Sequence, residues 1–394
     1  MHGDLKPAAL VDEPAIPART KGAHAQNRRY CGFRRQLIDG FSHDVRTPLT
    51  VINEYLKLLS EDSDIPQPDE RRQIVNVIAD RVDDVNHAFA DLLDTLKLEA
   101  GTLGACRQAC RLADIVASIR PSLERKAALR NGKFAFTVAA DLPEVFCDKE
   151  QIGRVLHHIA GRAMKYSRPG DTVDVWTGST SCRNEVRVGV TSLGEKARSE
   201  MLTAVREGEE SVVNPKQGAK NFGEKLRVVR AILRRNLSEL VSDSLSETDC
   251  WFSLPTAEPS EIVSRYLKQR LGRLRSELTV WIAIVHCPEP INRRLEKEMQ
   301  SLLSLFIRPT DLLLKIDQRD WLLARCRKCA ALPEFGRRLE ALRTAVNLKR
   351  SGQRLPAFRL KPLGAWRSRD SIRATLEMLE PLLEHKHAAD SQDA

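Results

Sequence analysis

Two apolar stripes constrain this chain most, because each repeats in alternating steps of three and four residues. The first stripe comprises Leu37, Phe41, Val45, Leu49, Ile52, Leu56 and Leu59. The second comprises Ile74, Ile78, Val82, Val85, Phe89, Leu92 and Leu96. A polar, proline-bearing segment at 62–68 separates them and favours a chain reversal. The pattern predicts an amphipathic helical hairpin over residues 31–104.

Each helix of such a hairpin has one apolar face, and a single hairpin leaves part of both faces exposed to water. Dimerisation into a four-helix bundle is the economical way to cover them. An antiparallel pair that packs on another domain of the same chain is the alternative. We therefore predict a homodimer and keep the intramolecular arrangement open.

His43 lies off the first stripe. It is two residues from Phe41 and two from Val45, a rotation of about 200° for each step, so its imidazole is predicted to face solvent. A carboxylate follows at once in Asp44, which can orient one ring nitrogen while the other acts as a nucleophile. Pro48 removes one helical hydrogen bond and is expected to bend the helix just past the histidine.

The run F-S-H-D-V-R-T-P-L-T at 41–50 resembles the phospho-acceptor box of bacterial two-component sensor histidine kinases. In that family the histidine is phosphorylated and passes its phosphoryl group to an aspartate on a response-regulator receiver domain. The resemblance implies that His43 is the phospho-acceptor, that Asp44 activates it, and that Thr47 holds water for dephosphorylation of the partner. The candidate catalytic residues are His43, Asp44, Arg46 and Thr47.

Residues 107–255 change character and mix helical periodicity with strand alternation. The helices are predicted at 112–123 and 151–166, and the strands at 134–138, 173–176, 186–190 and 250–255. This order resembles the α/β sandwich that binds ATP in histidine kinases. The resemblance to the kinase family covers most of residues 30–255.

The ATP-binding boxes of that family are degraded here. The two asparagines of the first box fall on His158 and Arg162, and a guanidinium cannot replace an oxygen ligand of Mg²⁺. The adenine-binding aspartate of the second box falls on Ser192, and Glu224 replaces a glycine of the phosphate-binding run. The candidate cofactor-binding residues are Arg162, Lys165, Tyr166, Gly194 and Gly223.

These departures predict a domain that keeps the kinase fold and has impaired Mg-ATP autokinase chemistry. ATP is the candidate cofactor, and no residue is identified as a metal ligand. Arg162, Lys165 and Lys225 offer positive charge that could neutralise phosphates without a metal. Solvated surface charges are the alternative interpretation of these three cations.

A further α/β unit is predicted at 261–387, after a short linker at 256–260. The element order α-β-α-β-β-α-β-α resembles a diguanylate cyclase (GGDEF) domain of ferredoxin-like type. The hairpin that carries the family motif falls on 317–321, with neither glycine and no matching catalytic pair. We predict a catalytically inactive GGDEF-like domain that serves in docking or dimerisation. An unrelated α/β appendage is the alternative.

Composition narrows the class of protein without deciding the fold. The 394 residues carry a formal net charge of +10. The basic residues at 293–361 do not alternate with aromatic residues as a nucleic-acid-binding platform requires, which favours an acidic protein partner over nucleic acid. The nine scattered cysteines favour reduced thiols. No stretch reaches the roughly 18 apolar residues of a membrane span, so a cytoplasmic protein is expected, with disordered ends at 1–30 and 388–394.

Two functions remain as hypotheses. In the first, the chain is a two-component signalling protein that transfers a phosphoryl group between His43 and a receiver aspartate, or hydrolyses it there. In the second, the chain is a non-catalytic pseudokinase scaffold that pairs with an active histidine kinase or sequesters a response regulator. A scaffold gives no physical reason to keep the whole acceptor run together, so we favour phosphotransfer or phosphatase chemistry.

Overall fold

The computed structural model describes the chain at 20–60, 68–179, 185–191, 220–242, 250–271, 279–327, 332–366, 377 and 379. Two long helices, α1 (Thr20–Ser60) and α2 (Pro68–Glu99), form the predicted hairpin. The two helices pack against each other, and the rings of Phe41 and Phe89, one from each apolar stripe, lie edge to face with their centroids 4.9 Å apart. Helix α1 continues through Pro48, whose side chain is buried.

The prediction of disorder at 1–30 was wrong for residues 20–30, because α1 begins at Thr20. Residues 20–30 include several good helix formers, among them Ala23, Ala25 and Gln26. Adding residues to an existing helix costs far less than starting one, so the amphipathic stripe that follows supports this extension. Residues 1–19 lie outside the described residues.

A second unit follows the hairpin and has an α/β fold. Its helices are α3 (Leu112–Ala128), α4 (Lys149–Tyr166) and α5 (Lys220–Arg235). Its strands are β1 (Gln108–Cys110), β2 (Lys133–Thr137), β3 (Val145–Cys147), β4 (Thr172–Ser179), β5 (Glu185–Thr191), β6 (Leu240–Ser242) and β7 (Cys250–Pro255). The described part of this unit confirms each predicted helix and strand to within a few residues, and it adds one helix, α5, and three strands, β1, β3 and β6.

The strands of this unit form two sheets. Five strands lie in the order β2-β4-β5-β7-β6, with β2 and β4 parallel and the other neighbours antiparallel. The pair β1 and β3 forms a separate antiparallel ladder. Leu123, Leu156 and Val188 are fully buried in the core between the helices and the larger sheet. One side of α4 is therefore packed on the sheet, and its other side faces the hairpin.

A glycine in the middle of this sheet gives a test of its packing. A Cβ atom built on Gly189 would lie 2.5 Å from the Trp176 ring, a distance that real contacts do not reach. Gly189→Ala should therefore lower the free energy of unfolding by about 1–3 kcal/mol, measured by urea titration. Gly161→Ala is the matched control, because its Cβ meets nothing within 4 Å and alanine favours a helix. Equal stability of the two variants would contradict this packing.

The third unit contains α6 (Pro259–Leu271), β8 (Thr279–His286), α7 (Arg293–Phe306), β9 (Leu312–Lys315), β10 (Asp320–Arg327), α8 (Leu332–Leu348) and β11 (Arg359–Trp366). Its sheet has the order β11-β8-β10-β9, with all neighbours antiparallel. Alternate residues of β8 enter two different cores: Val280 packs towards α6 and Trp281 towards α7 and α8. The element succession follows the prediction, and the helix predicted at 371–385 lies outside the described residues except for 377 and 379, which are helical.

The second and third units share a core, which the predicted linker at 256–260 does not anticipate. Phe146 and Leu237 of the second unit pack in the same apolar cluster as Tyr266 of α6. Arg265, also on α6, donates to Glu185 Oε2 at 2.6 Å and to the Ser253 carbonyl at 3.1 Å. Since α6 begins at Pro259, it continues almost directly from β7 and docks the third unit on the second.

Candidate functional site

The predicted phospho-acceptor lies exposed on α1. The His43 side chain is 77% exposed, which confirms that it faces solvent, and its Nδ1 lies 3.7 Å from Asp44 Oδ1. That distance is too long for a hydrogen bond but short enough for the carboxylate to favour a proton on Nδ1 electrostatically. The other ring nitrogen, Nε2, is then left with its lone pair for reaction.

An open cleft of about 530 Å³ lies between the hairpin and the second unit. From α1 it is lined by His43, Asp44, Thr47 and Pro48. From α2 it is lined by Arg81, Asp84, His87, Ala88 and Asp91, and from α3 by Lys126. From α4 it is lined by Arg154, His157, His158, Gly161, Arg162 and Lys165. The structure therefore brings His43 and the α4 residues predicted to belong to the first ATP-binding box to the same cleft.

Other predicted site residues lie elsewhere. Arg46 is exposed and does not line this cleft. Its backbone carbonyl accepts a hydrogen bond from Thr50 Oγ1. Tyr166 is the last residue of α4. Gly223 lies in the first turn of α5, so this part of the predicted glycine-rich run is helical and not an open loop. Gly194 lies outside the described residues.

Ion pairs hold α2 against the second unit beside the cleft. Arg125 of α3 pairs with Asp83, Lys126 with Asp84 at 2.9 Å, and Arg154 of α4 with Asp94 at 2.6 Å. Asp94 is almost fully buried, so solvent screens its pair with Arg154 only weakly. These pairs fix the distance between the hairpin and α4, and hence the width of the cleft.

Two histidines stack across the same boundary. The rings of His87 on α2 and His157 on α4 are nearly parallel, with centroids 4.0 Å apart. His87 Nδ1 lies 2.6 Å from the Asp83 carbonyl, and His157 Nε2 lies 3.1 Å from Ser122 Oγ. Burial lowers the pKa of His157 to about 2, with further lowering by Lys126 and by His87 itself. Burial also lowers the pKa of His87, so both rings are neutral at pH 7.

This stack predicts a loss of stability in acid. Unfolded histidine has a pKa near 6.5, so below that pH the unfolded chain binds a proton that folded His157 does not. Stability should therefore fall as the pH drops below about 6.5, by about 1.4 kcal/mol for His157 between pH 7.5 and 5.5. Urea titrations at both pH values measure this change. His157→Phe keeps an aromatic ring and should lose about that much of the pH dependence, whereas equal slopes in the two proteins would contradict the assignment.

The donor chemistry of the cleft does not fit Mg²⁺ on the α4 side. The α4 side chains that line it carry nitrogen groups: the imidazoles of His157 and His158, the guanidiniums of Arg154 and Arg162, and the ammonium of Lys165. Mg²⁺ takes oxygen ligands, and cations beside it would repel it. In the described parts of the chain, no three His, Cys, Asp or Glu side chains come close enough together to hold a metal ion.

The sequence reasoning missed the residues that reach the cleft from α2 and α3. Asp84, His87 and Asp91 follow each other in steps of three and four, a polar stripe that places them on one face of α2. That spacing could have identified a second functional face. Lys126 carries no such signal, because only the packing of α3 beside α2 brings it there.

Residues 33–101 match the model of the His Kinase A (phospho-acceptor) domain. The cell-division control histidine kinase PdhS of Brucella suis (strain ATCC 23445 / NCTC 10510) is 26% identical over 212 residues, which cover 52% of this chain and 19% of that protein. PdhS of Brucella ovis gives the same identity and coverage. The chain thus spans about a fifth of the length of these curated relatives, and the matched stretch is much longer than the phospho-acceptor domain.

Among solved structures, the histidine kinase AdeS of Acinetobacter baumannii matches with 16% identity, a TM-score of 0.33, and coverage of 54% of this chain and 98% of that one. Full-length ShkA in complex with AMPPNP has 18% identity, a TM-score of 0.35, and coverage of 56% and 46%. No helix in the described part of the chain has the length and apolar character needed to cross a bilayer. Residues 33–101 are thus similar to the His Kinase A phospho-acceptor domain, and about half of the chain is similar in sequence to histidine kinases.

Proposed function

We propose that this chain exchanges a phosphoryl group between His43 and the aspartate of a response-regulator receiver domain, with impaired Mg-ATP autokinase activity. The observation that carries the proposal is the exposed His43–Asp44 pair, which lines one side of a cleft. Arg162 and Lys165 of α4 line the opposite side. An acceptor histidine is thus retained where the ATP-binding box has lost its magnesium ligand. The whole protein's partners and substrates are part of the proposal.

The transfer step uses the two nitrogens of His43 differently. Nε2 attacks the phosphorus of the receiver's aspartyl phosphate, the N–P bond forms, and the P–O bond to the aspartate breaks so that the carboxylate leaves. Asp44 holds the proton on Nδ1 and stabilises the positive charge that develops on the ring. The reverse step returns the group to the receiver. For hydrolysis, Thr47, one helical turn beyond His43, would position the attacking water.

The cations of the cleft would stabilise the phosphoryl group in transit. Arg162, Lys165 and Lys126 line the same cleft as His43, and positive charge placed where phosphoryl charge develops lowers the barrier. This arrangement supports phosphoryl binding without a metal. ATP is the cofactor that the kinase resemblance implies, and the same cations could bind its phosphates.

The proposed partners follow from the surface of the hairpin. Large apolar side chains remain exposed along both helices: Ile38, Leu49, Leu56, Leu58, Val75, Val82, Phe89, Leu93 and Leu96. A second copy of the hairpin would cover them in a four-helix bundle, so we propose a homodimer. The receiver domain would then approach the exposed His43.

For the third unit we propose a docking or dimerisation module derived from a GGDEF domain. The β-α-β-β-α-β succession and the strand order β11-β8-β10-β9 are compatible with a ferredoxin-like unit. At the position of the family motif, Asp317 binds the backbone amides of Arg319 and Asp320 and so stabilises a turn. The retained turn and the lost glycines support a role in binding.

The second candidate function is a pseudokinase scaffold that pairs with an active histidine kinase or sequesters a regulator. The docked third unit and the exposed apolar faces favour it, because both provide surface for a partner. In that case His43 would carry no phosphoryl group. The experiment below separates the two functions.

The test incubates the purified chain with γ-labelled ATP and Mg²⁺, and in parallel with a panel of receiver domains phosphorylated by acetyl phosphate. We expect little label from ATP and acid-labile label from a receiver. Arg162→Asn restores the family's metal ligand and should raise labelling from ATP by about 100-fold, since a lost electrostatic partner costs about 3 kcal/mol of barrier. Strong labelling of the wild type by ATP would contradict the impaired pocket, and no label from any donor would favour the scaffold.

A further inference from the structure

Two cysteines face each other where the hairpin joins the second unit. Cys110 ends β1 and Cys147 ends β3, and the antiparallel register pairs Cys110 with Val145 and Gln108 with Cys147. The two cysteines are therefore diagonal neighbours on the same face of the ladder. Their Sγ atoms lie 3.4 Å apart. A disulfide of about 2.05 Å needs the sulfurs to approach by about 1.4 Å, and for diagonal neighbours this closure requires a small shift of the three-residue ladder as well as side-chain rotation.

The surroundings make one of the two thiols the reactive one. Each cysteine directly precedes a helix N-cap, Arg111 for α3 and Asp148 for α4, so the positive ends of two helix dipoles point towards the pair. Hydrogen bonding from the Cys147 thiol lowers the pKa of Cys110, burial opposes this, and Lys149 adds to the lowering. Cys110 is only partly buried whereas Cys147 is fully buried, so Cys110 is the more accessible of the two thiols to an oxidant in solution.

We propose that Cys110 and Cys147 form a reversible redox pair that closes to a disulfide when a hydroperoxide reaches Cys110. The Cys110 thiolate attacks the peroxide oxygen, the O–O bond breaks, and a sulfenic acid forms on Cys110 with release of an alcohol or, from hydrogen peroxide, water. Cys147 sulfur then attacks Cys110 sulfur, the S–O bond breaks, and a second water leaves with the Cys147 proton. The two thiols are oxidised by two electrons in total, and the peroxide is reduced by two.

The disulfide would act on the connection 100–111, which leads from α2 to α3. This connection is already tied to α4 by weak bonds: the Cys106 amide donates to Asp148 Oδ2 at 2.7 Å, and Gln151 Nε2 donates to the Gly104 carbonyl at 2.6 Å. A covalent bond from β1 to β3 would make this attachment permanent until a reductant breaks it. The position of the hairpin relative to α4, and with it the cleft, would then be locked.

The test treats the full-length reduced protein with hydrogen peroxide, followed by alkylation of free thiols and intact-mass and peptide-mapping spectrometry under non-reducing conditions. We expect two fewer alkyl groups per chain than on the reduced protein, one linked peptide that joins Cys110 to Cys147, and full reversal by dithiothreitol. Cys110→Ser should abolish that linked peptide. Cys287→Ser, a buried cysteine of the third unit, is the matched control and should leave the link intact.

The outcomes separate the proposal from simpler oxidation. A gain of two oxygens on Cys110 without a linked peptide would overturn it, and so would a link from Cys110 to the exposed Cys106. Because Cys147 is buried and its substitution could unfold the domain, a second measurement uses only the wild type. The oxidised wild type should unfold at a temperature roughly 5 °C or more above that of the reduced protein. An unchanged midpoint with a confirmed link would overturn the locking of the connection.

Discussion

Replacing His43 with Gln is expected to reduce the label that the chain takes from a phosphorylated receiver domain to background, a loss of at least roughly 100-fold. The glutamine amide nitrogen shares its lone pair with the carbonyl group and cannot attack phosphorus, whereas the imidazole Nε2 can. His43 is 77% exposed, so the substitution leaves no cavity and should not change the thermal midpoint. Acid-labile label per chain, measured after a fixed time, gives the answer.

The matched control for this variant is His286→Gln, which changes a partly exposed histidine far along the chain in β8. It should keep the wild-type level of label. Asp44→Asn gives an intermediate test, because it keeps the size of the side chain and removes the charge beside Nδ1. We expect it to slow transfer by roughly 10-fold to 1000-fold. Full label on the His43 variant would show that another residue accepts the phosphoryl group. It would contradict phosphotransfer through His43.

The second large effect is expected in the third unit, where Arg325→Met should lower the free energy of unfolding by about 3–5 kcal/mol. Arg325 Nε donates to Asp311 Oδ2 at 2.9 Å, and the Asp311 side chain has no exposure. The guanidinium also lies over the Phe335 ring, 4.4 Å from its centroid. Methionine would keep the apolar contact and leave a buried carboxylate without its charge partner. Urea titration followed by tryptophan fluorescence measures the loss.

A double variant distinguishes the lost charge from lost packing. Combining Asp311→Asn with Arg325→Met removes the unpaired buried charge. The asparagine still offers an oxygen to the Arg308 amide N–H, which donates to Asp311 Oδ2 at 3.0 Å in the wild type. The double variant should recover most of the stability. Arg294→Met removes a pair on the surface of α7, where the arginine is 86% exposed, and should have no measurable effect. Equal losses in the single and double variants would show that packing dominates.

Local periodicity predicted the larger elements of the fold. The hairpin stripes, α4 and the buried strand β8 each repeat over many residues, so the pattern is strong enough to assign them. The strands β1, β3 and β6 have only three residues each, too few for an alternation to be recognised. They form because a neighbouring strand supplies their hydrogen bonds, and this information is not local.

Local sequence patterns also predicted part of the candidate site. His43, Asp44 and Thr47 lie within one helical run, and Arg162 and Lys165 lie within another, so each set could be recognised in sequence. Their meeting in one cleft depends on the ion pairs between α2 and the second unit. The buried histidine stack could not be predicted, because His87 and His157 are far apart in the chain and neither has a motif.

Arg107 gives the three units a mechanical connection. It lies in the connection 100–111, and its guanidinium donates to the Arg235 carbonyl at the end of α5 and to the Asp311 carbonyl of the third unit, at 3.1 and 2.9 Å. Any displacement of the third unit relative to the second must therefore break the hydrogen bond from Arg107 to Asp311 or pull on the connection 100–111, which follows α2. A displacement of the third unit would thus act on the connection to α2 directly through Arg107, in addition to acting on the second unit through their shared apolar cluster.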